Sequence, residues 1–448
     1  MTSALPATPS PYSEAMLATS PTGRGNRVET ERLVGAERSP VLTLLLLLDS
    51  LVSVLVLPKI GTVRSILRNW LDVPVPAEPL SGAPLVSVIV PARNEALAIE
   101  SCIRSVLDQS YPSFEVLVLD DRSEDATGDI LAALADHDER LRVLAGEPLP
   151  AGWVGKCWAL YQAARQARGE WLLFLDADTH LRPGAILSVV AFAQERQLDL
   201  LTLVPQQTFE TFWELAILPA IFGAIMTSGG SFHEVNDPNS PVAKAIGQFM
   251  FFRASSYWSI GGHETVRDEI VEDFALARRI KGTGLRLTLA DGRRQAQTRM
   301  YRSLGQIWQG FSKNSYLEAR KQPGGIVAVV LTPWLTIAFP LLTSLCLAWR
   351  RLAGRTACRQ ERLLQVQSGL QLAAVLHFSY QIVQMLGIRI RWALSVPFGF
   401  LFFSVLLLNS AYRVLSGRGV SWRGRTYQAR SEERERGRTA KRQARSYE

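Results

Sequence analysis

Two aspartates one residue apart, Asp176 and Asp178, follow an apolar segment long enough for a buried strand, Trp171–Leu175. A buried strand ends at the carboxyl edge of an open α/β sheet, where such sheets keep their ligands. Carboxylates in this spacing can hold a hard divalent cation, Mg or Mn, whose remaining positions a substrate diphosphate fills. The same triplet also occurs at ordinary capped turns, so its chemistry depends on the elements around it.

The surrounding chain alternates apolar strand-length segments with segments of helical spacing. The predicted strands are residues 86–90, 115–119, 141–144, 171–175 and 199–204. This alternation predicts a parallel sheet that is covered on both faces. The first strand is not followed by Gly-x-Gly-x-x-Gly, which disfavours a dinucleotide fold, and the absence of a Gly-Lys-Ser/Thr loop disfavours a P-loop enzyme.

Four more polar clusters fall at predicted strand ends or helix starts. They are Pro91-Ala92-Arg93-Asn94-Glu95, Asp120-Asp121-Arg122-Ser123, Gly155-Lys156 and Glu272-Asp273. Adjacent carboxylates at a strand end can accept hydrogen bonds from a nucleobase and a ribose, and a lysine at a helix start suits a diphosphate. Each cluster also has an ordinary explanation on its own, as a helix cap, a capping turn, a solvated lysine or acids favoured by a helix dipole.

The ordered set of motifs resembles one enzyme family. Val-Ser-Val-Ile-Val-Pro-Ala-Arg-Asn-Glu, Asp-Asp-Arg-Ser, Gly-Lys-x-x-Ala, Asp-Ala-Asp and Glu-Asp resemble the inverting family 2 glycosyltransferases over about residues 84–315. Within that family, Pro-Leu-Pro-Ala-Gly-Trp-Val-Gly-Lys-Cys-Trp-Ala resembles the branch that glycosylates membrane carotenoids and hopanoids. The resemblance implies a GT-A (nucleotide-diphospho-sugar transferase) α/β domain with a mainly parallel sheet, and α-helical membrane segments at both ends.

The resemblance also implies roles for individual residues. Asp273 would be the general base that takes the proton from the acceptor hydroxyl, whose oxygen attacks the anomeric carbon opposite the diphosphate and inverts its configuration. Asp176 and Asp178 would bind the divalent cation, which stabilises the leaving diphosphate of a UDP-sugar or GDP-sugar. The implied nucleotide-sugar-binding residues are Pro91, Arg93, Glu95, Asp120, Asp121, Lys156 and Asp176.

The acceptor side is expected to differ from that of polymer-forming relatives. The implied acceptor residues are Gly247, Gln248, Phe249 and Glu272. The segment 247–253 is bulkier and more aromatic than the corresponding loop of relatives, which suits a lipid acceptor. Polysaccharide synthases of this family carry Gln-x-x-Arg-Trp after the base, and this chain lacks it there, which argues against processive synthesis. Arg302 and Trp308 are candidates for diphosphate contact.

Charge and cysteine content indicate the kind of surface the protein contacts and the redox state of its thiols. The 448 residues include 49 Lys and Arg against 41 Asp and Glu, and the basic excess lies in tails and short loops beside apolar segments. This arrangement favours an anionic membrane surface over nucleic acid as a partner. The four cysteines are far apart, without a Cys-x-x-Cys pair, which predicts reduced thiols with neither a disulfide framework nor a zinc site.

Composition divides the chain into six regions. They are a disordered tail at 1–39, an N-terminal membrane anchor at 40–57, a linker at 58–83, the catalytic domain at 84–320, C-terminal membrane helices at 321–415 and a basic disordered tail at 416–448. The segments 326–349, 368–387 and 393–415 are long enough to cross a bilayer. Because three crossings would place the Arg-rich loop 350–362 opposite the catalytic domain, a re-entrant segment interrupted by Pro333 and Pro340 is the alternative.

These patterns predict a bacterial-type inner-membrane protein whose catalytic domain faces the cytoplasm. Residues 206–232 are apolar at helical spacing and are either a core helix or a helix lying in the bilayer plane. The predicted reaction moves a single sugar to the hydroxyl of a membrane isoprenoid lipid, a hydroxylated carotenoid or a hopanoid. The alternatives are a polyprenyl-phosphate or polysaccharide glycosyltransferase and a non-enzymatic membrane scaffold of a lipid pathway.

Overall fold

A computed structural model describes residues 39–68, 70–76, 82–228, 230–319, 324–416, 418, 420–422 and 425–427. The predicted tails at 1–39 and 416–448 therefore lie almost entirely outside the described residues. The strands are β1 (Val86–Ala92), β2 (Phe114–Asp120), β3 (Leu141–Ala145), β4 (Trp171–Leu175), β5 (Thr179–Leu181), β6 (Leu200–Gln207), β7 (Phe249–Arg253), β8 (Leu287–Thr298), β9 (Val420–Trp422) and β10 (Arg425–Tyr427).

The helices of the catalytic region alternate with these strands, and three longer helices follow them. They are α1 (Pro40–Arg68), α2 (Ile99–Leu107), α3 (Thr127–Ala135), α4 (Gly155–Gln166), α5 (Ala185–Glu195), α6 (Phe212–Thr227), α7 (Phe232–Asn236), α8 (Ala254–Ser259), α9 (Glu272–Gly282), α10 (Leu304–Ala319), α11 (Gly325–Leu352), α12 (Arg359–Met385) and α13 (Val396–Leu415). Short 3₁₀ helices occupy Gly262–Val266 and Ile390–Leu394.

The central sheet has eight strands in the order β3-β2-β1-β4-β7-β6-β8-β5. Strands β3, β2, β1 and β4 are parallel, as the sequence predicted. Strand β7 is antiparallel to both β4 and β6, and β5 is antiparallel to β8. The sheet is therefore mixed. Strand β6 pairs in parallel with β8, and both run in the same direction as β4, so six of the eight strands are parallel and the sheet is mainly parallel, as predicted.

Both faces of the sheet are covered. Successive residues of a strand point to opposite faces, and in β1 Ile89 belongs to one buried apolar cluster while Val88 and Val90 belong to the other. In β4, Phe174 and Leu173 are divided between the same two clusters. The continuous apolar strands of the sequence thus follow from burial on both sides of the sheet.

Two helices are long and apolar enough to cross a membrane among the described residues, α11 and α13. Their positions match the predicted segments 326–349 and 393–415, whereas 368–387 falls within α12, which is not among the candidates. The re-entrant interpretation is wrong, because α11 runs continuously through a π-helical turn at Trp334–Ala338 and does not reverse direction. At the N-terminus, α1 is one helix from Pro40 to Arg68, so it includes the predicted anchor at 40–57 and continues into the predicted linker at 58–83.

Helix α6 resolves the ambiguity of residues 206–232 in favour of a core helix. Most of its side chains are buried, and only Phe212 and Trp213 near its start are strongly exposed. The helix begins with a capping box, in which the Thr211 side chain accepts a hydrogen bond from the Glu214 backbone N–H. Because α6 packs against α13 and α12, its apolar residues form part of the central core and do not rest on a lipid surface.

We expect Glu214→Ala to destabilise the protein by about 3–5 kcal/mol, because it removes a helix cap and one partner of a buried ion pair. The Glu214 side chain is 0% exposed and lies 2.9 Å from Arg299 Nε. The control is Glu210→Ala, which removes the 61% exposed second partner of Arg299 and should cost at most about 1 kcal/mol. Thermal unfolding in detergent measures both, and equal shifts in Tm would contradict the expectation.

Candidate active site

A cavity of about 580 Å³ opens at the carboxyl ends of β1 and β4. It brings together most of the residues that the sequence singled out as candidates for the site. Those that line it are Pro91, Arg93, Glu95, Asp121, Lys156, Asp176, Asp178, Gly247, Gln248, Glu272 and Asp273. The cavity therefore joins residues that are up to 182 positions apart in the chain, between Pro91 and Asp273.

Lys156 is the link between the two acidic motifs. It lies in the first turn of α4, and its Nζ is 2.7 Å from Asp176 Oδ1 and 2.8 Å from Glu272 Oε1. Burial opposes the charge on Lys156, but the two carboxylates raise its pKa well above the usual value. Burial also opposes ionisation of Glu272, yet the contact with Lys156 lowers its pKa. These contacts indicate a charged Lys156 that holds Glu272 as a carboxylate.

Asp273 sits beside this ion pair in the first turn of α9. Burial and the neighbouring Glu272 charge raise the pKa of Asp273 to about 7, while Lys156 and two backbone N–H groups partly oppose the shift. The backbone N–H of Gly247 donates to Asp273 Oδ2 at 2.8 Å, and that of Phe274 donates to Oδ1 at 2.8 Å. A carboxyl with this pKa can take up and release a proton near neutral pH.

Asp178, the second aspartate of the Asp-Ala-Asp motif, is held in place by a residue of the sheet. Thr298 at the end of β8 donates its hydroxyl to Asp178 Oδ1 at 3.2 Å. The part of the chain that the structure describes has no group of three or more His, Cys, Asp or Glu side chains able to hold a metal. Asp176 and Asp178 nevertheless fit Mg or Mn, which bind through one or two carboxylates and complete their shells with water and substrate phosphates.

The adjacent aspartates after β2 have separate roles. Asp121 lines the cavity and is 4% exposed, whereas Asp120 is absent from the lining. Asp120 Oδ1 instead accepts the backbone N–H of Ser123 at 3.0 Å, which makes it a turn cap. Arg93 donates to the carbonyl oxygens of Asp121 and Arg122, so it fixes this loop against β1. The contact of Asp120 with the nucleoside stays a prediction, and Asp121 is the aspartate of this pair that lines the cavity.

Three of the four predicted acceptor residues line the cavity, and one does not. Gly247, Gln248 and Glu272 line the cavity, and a Cβ on Gly247 would lie 3.1 Å from Asp273 Oδ2 and 3.4 Å from Lys156 Nζ. Phe249 does not line the cavity, because it is the first residue of β7 and is 0% exposed within the sheet. The aromatic residues after Gln248 are core residues of a central strand, so their bulk is no sign of a lipid acceptor.

Residues 87–261 match the family described as Glycosyl transferase family 2. The protein is a glycosyltransferase with a family 2 domain. Two relatives named 4,4'-diaponeurosporenoate glycosyltransferase, from Staphylococcus aureus strains MRSA252 and USA300, are 25% identical over 356 and 352 residues. Each alignment covers 78% of this chain and 89% of the relative. The resemblance found in the motifs is confirmed, and the mixed α/β domain is GT-A-like.

Two solved structures align with most of the glycosyltransferase. The mannosyltransferase PcManGT from Pyrobaculum calidifontis, in complex with GDP-Man and Mn2+, aligns over 83% of this chain and 99% of its own, with 18% identity and a TM-score of 0.47. TarS 1-349 from S. aureus, in complex with UDP-GlcNAc, aligns over 73% of this chain and 91% of its own, with 16% identity and a TM-score of 0.35.

The diphosphate candidates of the glycosyltransferase lie outside its cavity. Arg302 is exposed and donates to the Leu97 carbonyl, and Trp308 packs edge to face against Phe402 with ring centroids 5.5 Å apart. Lys313, on the same helix, lines the cavity instead. Burial and nearby Lys156 lower the pKa of Lys313 to about 8, against the opposing effect of Glu272. The sequence offered only one clue to Lys313, namely that it is the single basic residue of α10, and this clue does not place it in the site.

Proposed function

We propose that this glycosyltransferase transfers one sugar, with inversion, from a UDP-sugar or GDP-sugar to the hydroxyl of a membrane isoprenoid lipid. A hydroxylated carotenoid is the acceptor we favour, and a hopanoid is the second choice. The observation that carries the proposal is the position of Asp273 beside Glu272, in a cavity that also contains the Asp-Ala-Asp motif. A single base next to a diphosphate site suits direct displacement at the anomeric carbon.

Asp273 is the group that would move the acceptor proton. Its raised pKa keeps part of the population ionised at neutral pH, and an ionised Asp273 can accept the hydroxyl proton as the carbon–oxygen bond forms. Gly247 and Phe274 donate backbone N–H groups to its two oxygens, which fix the direction of the carboxylate. Glu272 cannot take this role equally well, because it is paired with Lys156 and 4% exposed.

The donor side consists of residues that suit a nucleoside diphosphate. Asp121 and Glu95 line the end of the cavity at β1 and β2, where carboxylates can accept hydrogen bonds from a base and a ribose. Asp178, with Asp176, would hold a divalent cation, which supplies charge stabilisation for the leaving diphosphate. Lys156 and Lys313 add two ammonium groups beside the same acids, and both suit phosphate oxygens.

The acceptor assignment is supported by chemistry and by the relatives. The relatives are named for 4,4'-diaponeurosporenoate, a carboxylate, whereas we propose a hydroxyl for this chain. A carboxylate is already ionised at neutral pH and needs no base, but a hydroxyl does. A carboxylate at Asp273, oriented in the cavity by the Gly247 and Phe274 N–H groups, can supply that base and therefore favours the hydroxyl. A polyprenyl-phosphate acceptor, which also carries its own negative charge, is disfavoured for the same reason, and polymer synthesis remains the other enzymatic alternative.

The setting we propose is a bacterial-type inner membrane, with the catalytic domain in the cytoplasm. Helices α11 and α13 have the length and apolarity of membrane spans. Their large exposed apolar side chains, such as Leu342 and Leu415, are 65% and 62% exposed in the isolated chain. A bilayer would remove this surface from water, as expected for exposed apolar patches of this size.

The pH dependence of transfer to two matched acceptors tests the proposal. For a carotenoid alcohol, kcat/KM should rise about tenfold per pH unit below the Asp273 pKa of about 7 and then level off. For the corresponding carotenoid acid, the rise should be absent, because the nucleophile is ionised throughout. Product mass and anomeric configuration are measured together. Transfer to the acid alone, or a retained α-configuration from an α-linked donor, would refute the proposal.

A further inference from the structure

The cavity extends beyond the polar cluster into an apolar region between helices. Side chains from α6, α10, α11 and α13 bound this extension. The apolar residues that line it include Ile225, Met226, Phe311, Val329 and Phe403. None of the residues to which we assigned a role in donor binding or proton transfer lies on α11 or α13, so a different part of a substrate must account for this region.

The extension follows one side of α10. Phe311, Ser315 and Ala319 line the cavity at intervals of four residues, which places them on one face of the helix. Lys313 marks the end near the acids, and Ala319 is six residues further, which corresponds to about 9 Å along the helix. Gly325 and Val329 of α11, again four residues apart, face the same space. Ala319 and Val329 also pack against a buried apolar cluster, so this end of the cavity is apolar. The cluster consists of Tyr316, Leu407 and Val414.

A single layer of helices separates this space from the apolar outer surface. On α11, Val329 lines the cavity, while Val327 and Leu331 on either side of it are 59% and 49% exposed. On α13, Phe403 lines the cavity, while Val405 is 43% exposed. These are the two helices whose length and composition suit a bilayer. The apolar end of the cavity is thus adjacent to the surface that lipid would cover.

The volume of the cavity limits what it can contain. About 580 Å³ is within the range of roughly 300–1,000 Å³ that is typical of one drug-sized ligand. A nucleoside diphosphate sugar and an entire long isoprenoid cannot both fit in this space. The donor requires the polar end, so only the reacting end and a short part of the acceptor chain can be enclosed, and the rest must leave the protein.

We propose that the hydrocarbon chain of the acceptor lies along the α10 face lined by Phe311, Ser315 and Ala319 and leaves the protein between α11 and α13. The acceptor then enters sideways from the bilayer, and its hydroxyl reaches Asp273 while its far end stays in lipid. This inference rests on the proposed function and adds the route and the binding site of the acceptor chain. Val329 lines this route on α11.

The test compares Val329→Trp with Val327→Trp, which adds the same bulk two residues away on the exposed face of α11. Full-length enzyme is assayed with a long carotenoid alcohol in phosphatidylglycerol vesicles and with a short, water-soluble prenyl alcohol. Val329→Trp should lower kcat/KM for the long acceptor by about 10- to 200-fold through its KM, the range expected for obstruction of an apolar pocket. Transfer to the short acceptor, the donor KM and the Val327→Trp enzyme should all stay near wild type.

Two results would overturn the inference. One is wild-type kinetics of Val329→Trp with the long acceptor, and the other is an equal loss with both acceptors while nucleotide binding stays intact. If Val329→Trp does not accumulate, Ser315→Leu obstructs the same route from α10 and carries the same expectations. Absence of transfer to either alcohol by the wild-type enzyme would instead refute the proposed function, so the two failures are distinguishable.

Discussion

Asp273→Asn is expected to lower kcat for sugar transfer by about 10²- to 10⁴-fold, the contribution of a positioned general base. Although its single amide oxygen can accept only one of the two N–H groups, that of Gly247 or that of Phe274, which donate to different oxygens of Asp273, the variant keeps the size of the side chain. Donor binding should therefore stay within a few-fold of wild type. Single-turnover transfer to a carotenoid alcohol measures the loss, and nucleotide titration measures donor affinity.

Measurements of protein stability distinguish the loss of activity in Asp273→Asn from unfolding of the variant. The folded-state pKa of Asp273 is about 7, above the usual 3.8, so the protonated form stabilises the fold and that contribution disappears as the pH rises through 7. An asparagine cannot ionise, so the variant should lack the decrease in Tm expected for wild type as the pH rises from 3.8 to about 7. Asp136→Asn, an exposed acid after α3, is the control that should change neither property. Full activity of Asp273→Asn would remove Asp273 from the mechanism.

The first four parallel strands, β1 to β4, could be predicted because they are apolar segments of strand length. Strand β4 was predicted at its observed bounds, and β1 and β2 within two residues at each end. Burial on both faces gives such strands a strong local signal. Strand β7 was missed although residues 249–252 are continuously apolar, because the resemblance suggested an acceptor loop at 247–253. Its place between β4 and β6 depends on antiparallel pairing with residues 74–82 positions earlier in β4 and 48–52 positions earlier in β6, which composition does not reveal.

Parts of the site could be predicted for a similar reason. The Asp-Ala-Asp and Glu-Asp motifs meet because each follows a well-defined strand or begins a helix at the same sheet edge. The two adjacent aspartates after β2 could have been separated in advance, because successive side chains of an extended segment point to opposite sides and only one can face the cavity. Asp121 faces it, and Asp120 caps the turn.

Lys313 could not be assigned from the sequence. Its contribution depends on the packing of α10 against the end of the sheet, which brings it near Lys156 and Glu272. These residues are separated by 157 and 41 positions in the chain, and no local motif links them. Arg302 and Trp308 had the more suggestive residue types, yet Arg302 lies before α10 and donates to the Leu97 carbonyl, and Trp308 packs against Phe402.

Asp178→Ala is expected to weaken metal-dependent donor binding by about 2–4 kcal/mol, roughly 30- to 700-fold in Kd, which is typical of the loss of one partner from a desolvated charge pair. Asp178 lines the cavity and is oriented by Thr298, whereas Asp176 is already engaged with Lys156. Asp178 is therefore the residue on which a cation in this site would depend most. Calorimetric titration of nucleotide sugar with Mn²⁺, and with EDTA in its place, measures the metal-dependent part of the affinity.

Asp120→Ala is the matched control, because Asp120 belongs to a similar acidic motif at the end of β2, two strands from β4 in the sheet, but caps the Ser123 turn outside the cavity. Its donor Kd and its response to Mn²⁺ should remain near wild type, with at most a small decrease in Tm. If Asp178→Ala instead keeps the full response to Mn²⁺, the cation is not bound at Asp178. Stabilisation of the leaving diphosphate would then fall to Lys156 and Lys313, whose ammonium groups line the same cavity.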